Sequence, residues 1–317
     1  MQSCENSIQQ GTSNTFATYS NLMKVNSICI CGAGTMGCGI AQVAAASGLQ
    51  TILYELNGQV LENAKKEIEK NLQTWVDKNK ISPVEKKKTY QRIQFTNNIN
   101  DCLADVIIEA IIEKLEGKVA LFNQLAGINQ DQVIFATNTS SLSVTEIASG
   151  LKNPERVIGL HFFNPAPVMK LVEVVNSNYT NENTTSTILG LAKLMGKTPV
   201  VCKDSPGFIV NRVARPFYIE SLRLIEEELV DFVTVDSLME ATGFKLGPFK
   251  LMDLIGNDVN YAVSCSVYDQ LKQPERLRPS IIQKLKVEKG ELGRKTGKGY
   301  YEYDESGVVS GRVSRQS

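Results

Sequence analysis

Residues 27–37 read Ser-Ile-Cys-Ile-Cys-Gly-Ala-Gly-Thr-Met-Gly, a mostly apolar run that breaks into Gly32, Gly34 and Gly37. The run suits a buried strand, and 39–46 behind it suits a helix. A G-x-G-x-x-G between a strand and a helix is the spacing of a dinucleotide-binding turn. Its glycines permit a tight turn and close approach of backbone to a pyrophosphate, and the helix start offers N–H groups and partial positive charge. Gly32, Gly34, Thr35, Met36 and Gly37 are therefore candidate cofactor-binding residues. A second β-branched run, 51–54, ends in Glu55, placed to accept from ribose hydroxyls and to repel a 2′-phosphate. No Arg or Lys lies between Glu55 and Leu61 to offset that charge, so the expected cofactor is NAD, not NADP.

Outward from this turn the chain alternates. Runs at 27–31, 51–54, 105–108, 133–136, 157–160, 171–175 and 198–201 are separated by segments of helical spacing. That predicts an α/β fold: a Rossmann-like, doubly wound, mostly parallel sheet. After residues 204–207, Asp-Ser-Pro-Gly, strand signals stop, and 208–230 reads as one long amphipathic helix. The expected organisation is a disordered tail over 1–24, a nucleotide-binding domain over 25–204, and an all-helical C-terminal domain over 205–317. A length of 317 residues agrees with two domains.

Thirty-four basic and thirty-four acidic residues leave no net charge, which gives no electrostatic reason to expect nucleic acid or an anionic membrane as partner. Seven scattered cysteines without a Cys-x-x-Cys pair indicate neither a disulfide framework nor a zinc site, so no metal is expected and a reducing cytoplasm fits. Residues 1–24 lack the apolar core of a signal peptide and the arginines of a transit peptide. No apolar stretch approaches the ~20 residues that span a bilayer, and a soluble protein acting on a small molecule is expected.

The chain has one histidine, His161, directly after the apolar run 157–160, with Glu173 twelve residues on. Histidine alone titrates near neutral pH without a perturbed environment, which makes His161 the first candidate general base. A packed histidine at a strand end would read the same on position alone.

Several blocks together resemble the L-3-hydroxyacyl-CoA dehydrogenase family. They are 32–42 (Gly-Ala-Gly-Thr-Met-Gly-Cys-Gly-Ile-Ala-Gln), 138–142 (Asn-Thr-Ser-Ser-Leu), 161–173 (His-Phe-Phe-Asn-Pro-Ala-Pro-Val-Met-Lys-Leu-Val-Glu), 206–212 (Pro-Gly-Phe-Ile-Val-Asn-Arg) and 292–300 (Leu-Gly-Arg-Lys-Thr-Gly-Lys-Gly-Tyr). The stretches 211–227 and 243–258 look closest to its 3-hydroxybutyryl-CoA and 3-hydroxyadipyl-CoA branch. Two features depart from the pattern: Glu55 stands where aspartate is commoner, and the N-terminal tail has no family counterpart.

The resemblance implies NAD-dependent oxidation of an L-3-hydroxyacyl-CoA, with His161 as base and Glu173 holding its imidazole. It further implies that Ser140 hydrogen-bonds the substrate's 3-oxygen and that Asn164 and Asn211 orient substrate and histidine. A helix-capping serine and a first-turn asparagine are alternatives for Ser140 and Asn211. Glu113 and Lys118 resemble residues near the nicotinamide, although a solvated helix start would read alike. The lysine-rich segment 62–88 resembles the helix pair that meets CoA phosphates, with most of its charges expected on a solvated face. Arg215 lies four residues after Asn211 and so on the same helical face. The sequence 212–216 resembles the 3-hydroxyadipyl-CoA enzymes, which makes Arg215 a candidate reader of a carboxylate at the end of the acyl chain; pairing with Glu220 or a partner subunit is the alternative. The same resemblance implies a site in the cleft between the domains and a homodimer through the helical domain. Two other readings are a sugar-acid dehydrogenase of the same fold and a catalytically idle NAD-binding relative.

Overall fold

In the computed structural model, which describes residues 23–312, the alternating runs become strands β1 (Ser27–Cys31), β2 (Gln50–Tyr54), β3 (Ile93–Thr96), β4 (Val106–Glu109), β5 (Ile134–Thr137), β6 (Val157–Phe162), β7 (Leu171–Asn176) and β8 (Thr198–Lys203). They form one sheet in the order β3-β2-β1-β4-β5-β6-β7-β8. Pairing is parallel from β3 through β6 and antiparallel between β6 and β7. The strand order reverses beside β1, the position where open α/β sheets take ligands beyond the strands' carboxyl ends.

Helices α1 (Thr35–Ala46), α2 (Gly58–Asp77), α3 (Pro83–Gln91), α4 (Leu115–Ala126), α5 (Val144–Ser149) and α6 (Glu182–Leu194) connect the strands. On α2, Leu61, Ala64, Ile68 and Leu72 are buried at three- and four-residue spacing, and the lysines of 62–88 lie on the other faces. Each large apolar side chain so buried contributes about 1.5–3 kcal/mol relative to exposure. A capping box separates α3 from α2: Ser82 accepts from the Glu85 N–H, Glu85 reaches back to the Ser82 N–H, and Pro83 starts the helix.

The chain packs as two compact units, residues through Thr139 with Val144–Val201, and Ser140–Ser143 with the chain from Cys202 onward. The second unit carries α7 (Val210–Glu226), α8 (Phe232–Ala241), α9 (Pro248–Ile255), α10 (Asn257–Gln270) and α11 (Ile281–Glu288). It is helical as expected but not purely so, because β9 (Tyr301–Tyr303) and β10 (Val309–Arg312) pair as an antiparallel hairpin. Two buried carboxylates hold β9 in place. Asp253 accepts from the Tyr300 and Tyr301 N–H groups and the Tyr303 hydroxyl, and Asp236 accepts from the Tyr301 hydroxyl. Burial raises the pKa of both acids from the ordinary aspartate value, against the hydrogen bonds that lower it.

β3 also escapes the sequence reading. It is an edge strand of four residues, too short for its alternation to register after a lysine-rich helix. The expected tail, 1–24, lies outside the described residues apart from Met23 and Lys24, and Met23 packs against the sheet's core. No helix among the described residues is long and apolar enough to cross a membrane.

Candidate active site

The loop from β1 to α1 is closed on one side and open on the other. Gly32 has φ +104°, and a Cβ there would stand 2.6 Å from the Ala110 carbonyl oxygen. One on Gly37 would stand 1.8 Å from the Gly32 oxygen. Only glycine fits either position. At Gly34 a Cβ would meet nothing within 4 Å, so the loop's outer side is open space. Helix α1 begins there with Gly34 as N-cap, and no side chain caps its first N–H groups. Room for a ligand backbone beside uncapped donors is what a pyrophosphate requires. Thr35 is exposed and Met36 half-buried at the same turn.

Glu55 follows β2 and faces this loop. Its carboxylate accepts from the Ala33 N–H at 3.0 Å and from the Asn57 N–H at 3.0 Å. Two backbone donors fix the carboxylate's direction, and its remaining lone pairs can accept from ribose hydroxyls.

Lys118 does not have the solvated setting of an ordinary helix start. It is 1% exposed, and its ammonium contacts Glu109 at 2.5 Å and Glu113 at 3.0 Å. Glu109 closes β4, is fully buried, and also accepts from Thr137 Oγ1 at 2.8 Å and the Ile111 N–H at 2.7 Å. Burial pushes the Glu109 carboxyl up, and Lys118 is the largest influence pulling it back. Thr139 Oγ1 donates to Glu113, which ties the end of β5 into the same cluster. Glu109 and Thr137 are functional candidates that sequence reading missed. The signal available was a carboxylate ending the otherwise apolar strand 106–109.

On the same sheet, His161 and Glu173 are direct register partners across β6 and β7. His161 Nδ1 and Glu173 Oε2 lie 2.7 Å apart, and the residues are 6% and 1% exposed. Paired residues on adjacent strands project to one face, so the antiparallel turn makes a buried dyad out of residues twelve apart. A carboxylate at Nδ1 fixes the tautomer with its proton there and its lone pair on Nε2. Asn138 Oδ1 accepts from the Phe162 N–H at 2.9 Å and locks β5 to the strand that carries His161.

Asn164, exposed, lines a cavity of about 220 Å³ together with Thr35 and Gly39 of α1, Trp75 of α2, and Lys78 and Lys80. Gln42 also lines it, with no hydrogen-bond partner for either carboxamide atom among the described residues. Lys197 fixes the wall of this cavity by donating to the Ala166 and Met169 carbonyls. Of the basic segment's lysines, Lys78 and Lys80 reach the cavity, whereas Lys65 pairs with Glu62 and Lys86 with Glu69.

In the second unit, Asn211 in the first turn of α7 donates to the Ser140 carbonyl at 3.4 Å. Arg215, one turn on, does not pair with Glu220, which belongs to Arg223. It is 2% exposed, donates to the carbonyls of Asn211 and Asn260 and to Ser264 Oγ, and stacks on Tyr218. Burial lowers its pKa to about 10.

Comparison with known proteins agrees with this geometry. Residues 27–205 match the NAD binding domain of 3-hydroxyacyl-CoA dehydrogenase, and 207–303 match its C-terminal domain. The chain is 45% identical over 284 residues to 3-hydroxyadipyl-CoA dehydrogenase of Escherichia coli, covering 89% of this chain but only 60% of that relative. It is 37% identical to the mitochondrial hydroxyacyl-coenzyme A dehydrogenase of Sus scrofa, across 92% of this chain and 96% of that one. Among solved structures, an (S)-3-hydroxybutyryl-CoA dehydrogenase from Ralstonia eutropha superposes with a TM-score of 0.85 at 35% identity, covering 89% of this chain and all of the other. By both domain matches, this chain belongs to the 3-hydroxyacyl-CoA dehydrogenase family.

Proposed function

We propose that this chain oxidises a short-chain L-3-hydroxyacyl-CoA to the 3-oxoacyl-CoA with NAD, and that His161 is the general base. The observation that carries the reading is the 2.7 Å contact of His161 with Glu173 in a domain whose glycine loop stays open at Gly34. His161 takes the substrate's hydroxyl proton on Nε2, and Glu173 stabilises the resulting imidazolium. A general base of this kind is worth roughly 10²- to 10⁴-fold in rate. Ser140 holds the 3-oxygen, Asn211 braces the Ser140 backbone, and Asn164 orients the chain entering past it. Bound at the loop 32–37, NAD supplies the hydride acceptor. Glu55 takes the ribose and rejects a 2′-phosphate. Glu109 fixes Lys118 and, through it, Glu113 at the reacting end of the cofactor site.

The cavity beside α1 suits the pantetheine arm of CoA. Trp75, Pro165 and Pro167 offer apolar walls, Lys78 and Lys80 offer charge for phosphate, and Gln42 offers a carboxamide that can donate to and accept from an amide. We assign the molecule to the cytoplasm, in keeping with free thiols at Cys29, Cys31, Cys38 and Cys102. A homodimer through the helical unit is supported by exposed Val213, Leu238 and Leu254, at 72%, 60% and 49% exposure.

The test is reduction of acetoacetyl-CoA by NADH. Turnover that His161→Gln abolishes supports the assignment. Preference for a sugar acid favours the sugar-acid dehydrogenase, and NADH binding without turnover favours an idle relative.

A further inference from the structure

The segment 163–170, which joins the strand of His161 to the strand of Glu173, has few backbone donors of its own, because Pro165 and Pro167 carry no N–H. The Pro165 carbonyl accepts from the Val168 N–H at 2.9 Å and the Met169 N–H at 3.0 Å, which closes one turn. The carbonyls of Ala166 and Met169 point out of that turn to a single donor. Lys197 Nζ donates to the Ala166 carbonyl and, at 2.9 Å, to the Met169 carbonyl.

Local sequence places Lys197 for this. Gly196, with φ +69°, ends α6: its N–H donates to the Lys193 carbonyl and the Lys197 N–H to the Ala192 carbonyl, the pairing that closes a helix around a left-handed residue. The chain then enters β8, where the Thr198 N–H donates to the Lys170 carbonyl at 2.8 Å. Lys197 is 8% exposed, and no carboxylate pairs with it among the described residues. Burial, and next the like charge of Lys170, lowers its pKa. A buried cation answered only by carbonyls is costly. An apolar side chain would fill the same space without that cost, but it would not fix two carbonyls.

The carbonyls of the segment go to Lys197, and its side chains go to α1. A Cβ on Gly39 would stand 3.1 Å from the Ala166 Cβ and 3.1 Å from the Pro167 Cδ, so the missing side chain is what lets the segment lie this close to the helix. Residues Asn164 to Val168 line the cavity of about 220 Å³ whose lining also includes Trp75, Lys78 and Lys80. The His161–Glu173 dyad does not depend on this wall, because five residue pairs of β6 and β7 hold it in register.

We propose that Lys197 and Gly39 are positioning residues: together they set where the segment 164–168 stands against α1, and so how tightly the cavity holds the CoA arm, without acting on the chemical step. This rests on the dehydrogenase reading above, with the arm in the cavity beside α1. Without Lys197 the Ala166 and Met169 carbonyls turn to water, and the wall must be ordered each time substrate binds. With alanine at position 39 the segment must give by a few tenths of an ångström, which shifts the same wall while Lys197 stays in place.

The test is NADH-dependent reduction of two substrates, acetoacetyl-CoA and the acetoacetyl thioester of N-acetylcysteamine, which keeps the reacting end and lacks most of the arm. Lys197→Met should raise KM for acetoacetyl-CoA roughly tenfold and change kcat by less than about threefold, the signature of lost uniform binding. With the truncated thioester its kcat/KM should stay within about threefold of wild type, and NADH affinity should not change. Gly39→Ala should raise KM for acetoacetyl-CoA about threefold without lowering the thermal midpoint, since alanine is the better helix former. A wild-type KM in Lys197→Met overturns the proposal, and so does an equal loss on both substrates, which would place the lysine's effect on the chemistry. If Lys197→Met cannot be purified folded, Gly39→Ala decides, and an unchanged KM there overturns the proposal. A wild type that turns over neither substrate overturns the dehydrogenase reading and this proposal with it.

Discussion

Lys118 and Arg215 are both buried cations, 1% and 2% exposed, yet they are neutralised in opposite ways. Lys118 sits between Glu109 and Glu113, so its charge is matched within the fold. Among the described residues, Arg215 has carbonyls, a hydroxyl and the face of Tyr218 as its partners. A matched charge resists removal of its partner, since the partner's loss leaves an isolated ion in low dielectric. An unmatched charge already bears that cost, and its removal relieves part of it. In the proposed reaction His161 would take up a proton, and Glu173, 2.7 Å from its Nδ1, is the carboxylate that would answer that charge.

This last case gives the largest expected effect. His161→Gln should lower kcat by roughly 10²- to 10⁴-fold with little change in NADH affinity. Glu173→Gln should also be damaging, and the double variant should lose less than the product of the single losses, because the two act as a unit. Steady-state rates and fluorescence titration of NADH check both points; fully multiplicative losses would show that the pair does not function together.

Next comes the comparison itself. Lys118→Met leaves Glu109 buried without its cation and should cost about 3–5 kcal/mol. Arg215→Leu should lie within about 1–2 kcal/mol of wild type, because the loss of neutral hydrogen bonds is offset by the loss of an uncompensated charge. Denaturant unfolding of the two variants decides: equal destabilisation would mean Arg215 is as structural as Lys118.

A smaller effect than that at Lys118 belongs to Glu55, an anion without a cationic partner among the described ion pairs, held instead by the Ala33 and Asn57 N–H groups. Glu55→Ala should weaken NADH binding by about 1.5–3 kcal/mol, the range for a hydrogen bond to a charged group. NADPH should be affected less, so the gap between the two cofactors narrows. Wild-type protein binding NADPH as tightly as NADH would remove the ribose role.

The parts of this molecule that repeat a local pattern are the ones its sequence displays. Alternation between β-branched runs and helical spacing reveals the sheet, and the glycines at 32, 34 and 37 reveal the turn, because in both cases the signal lies within about ten residues. The hairpin carrying His161 and Glu173 is legible for the same reason, as two apolar runs joined by a proline-containing loop. What stays hidden depends on packing between distant segments. Glu109 looks like any acid at a strand end until β5 and α4 close over it. Lys118 looks solvated until the same closure. Asn260 has no distinguishing neighbourhood in the chain, and only the contact between α7 and α10 sets it against Arg215. The two strands at 301–303 and 309–312 are short and follow a glycine-rich stretch, so their pairing leaves little trace in hydropathy.

The antiparallel joint of β6 and β7 has a consequence for how this site tolerates change. His161 faces Glu173 because five consecutive residue pairs, from Ile158 with Asn176 to Phe162 with Val172, are in step. Insertions in the connecting segment, residues 163–170, lengthen a loop and leave that registration intact. A slip of one residue between the strands would instead turn the two side chains to opposite faces of the sheet. The dyad is therefore robust to length variation and fragile to misalignment. It can be lost as a unit, by a single error of pairing, without any substitution at either residue.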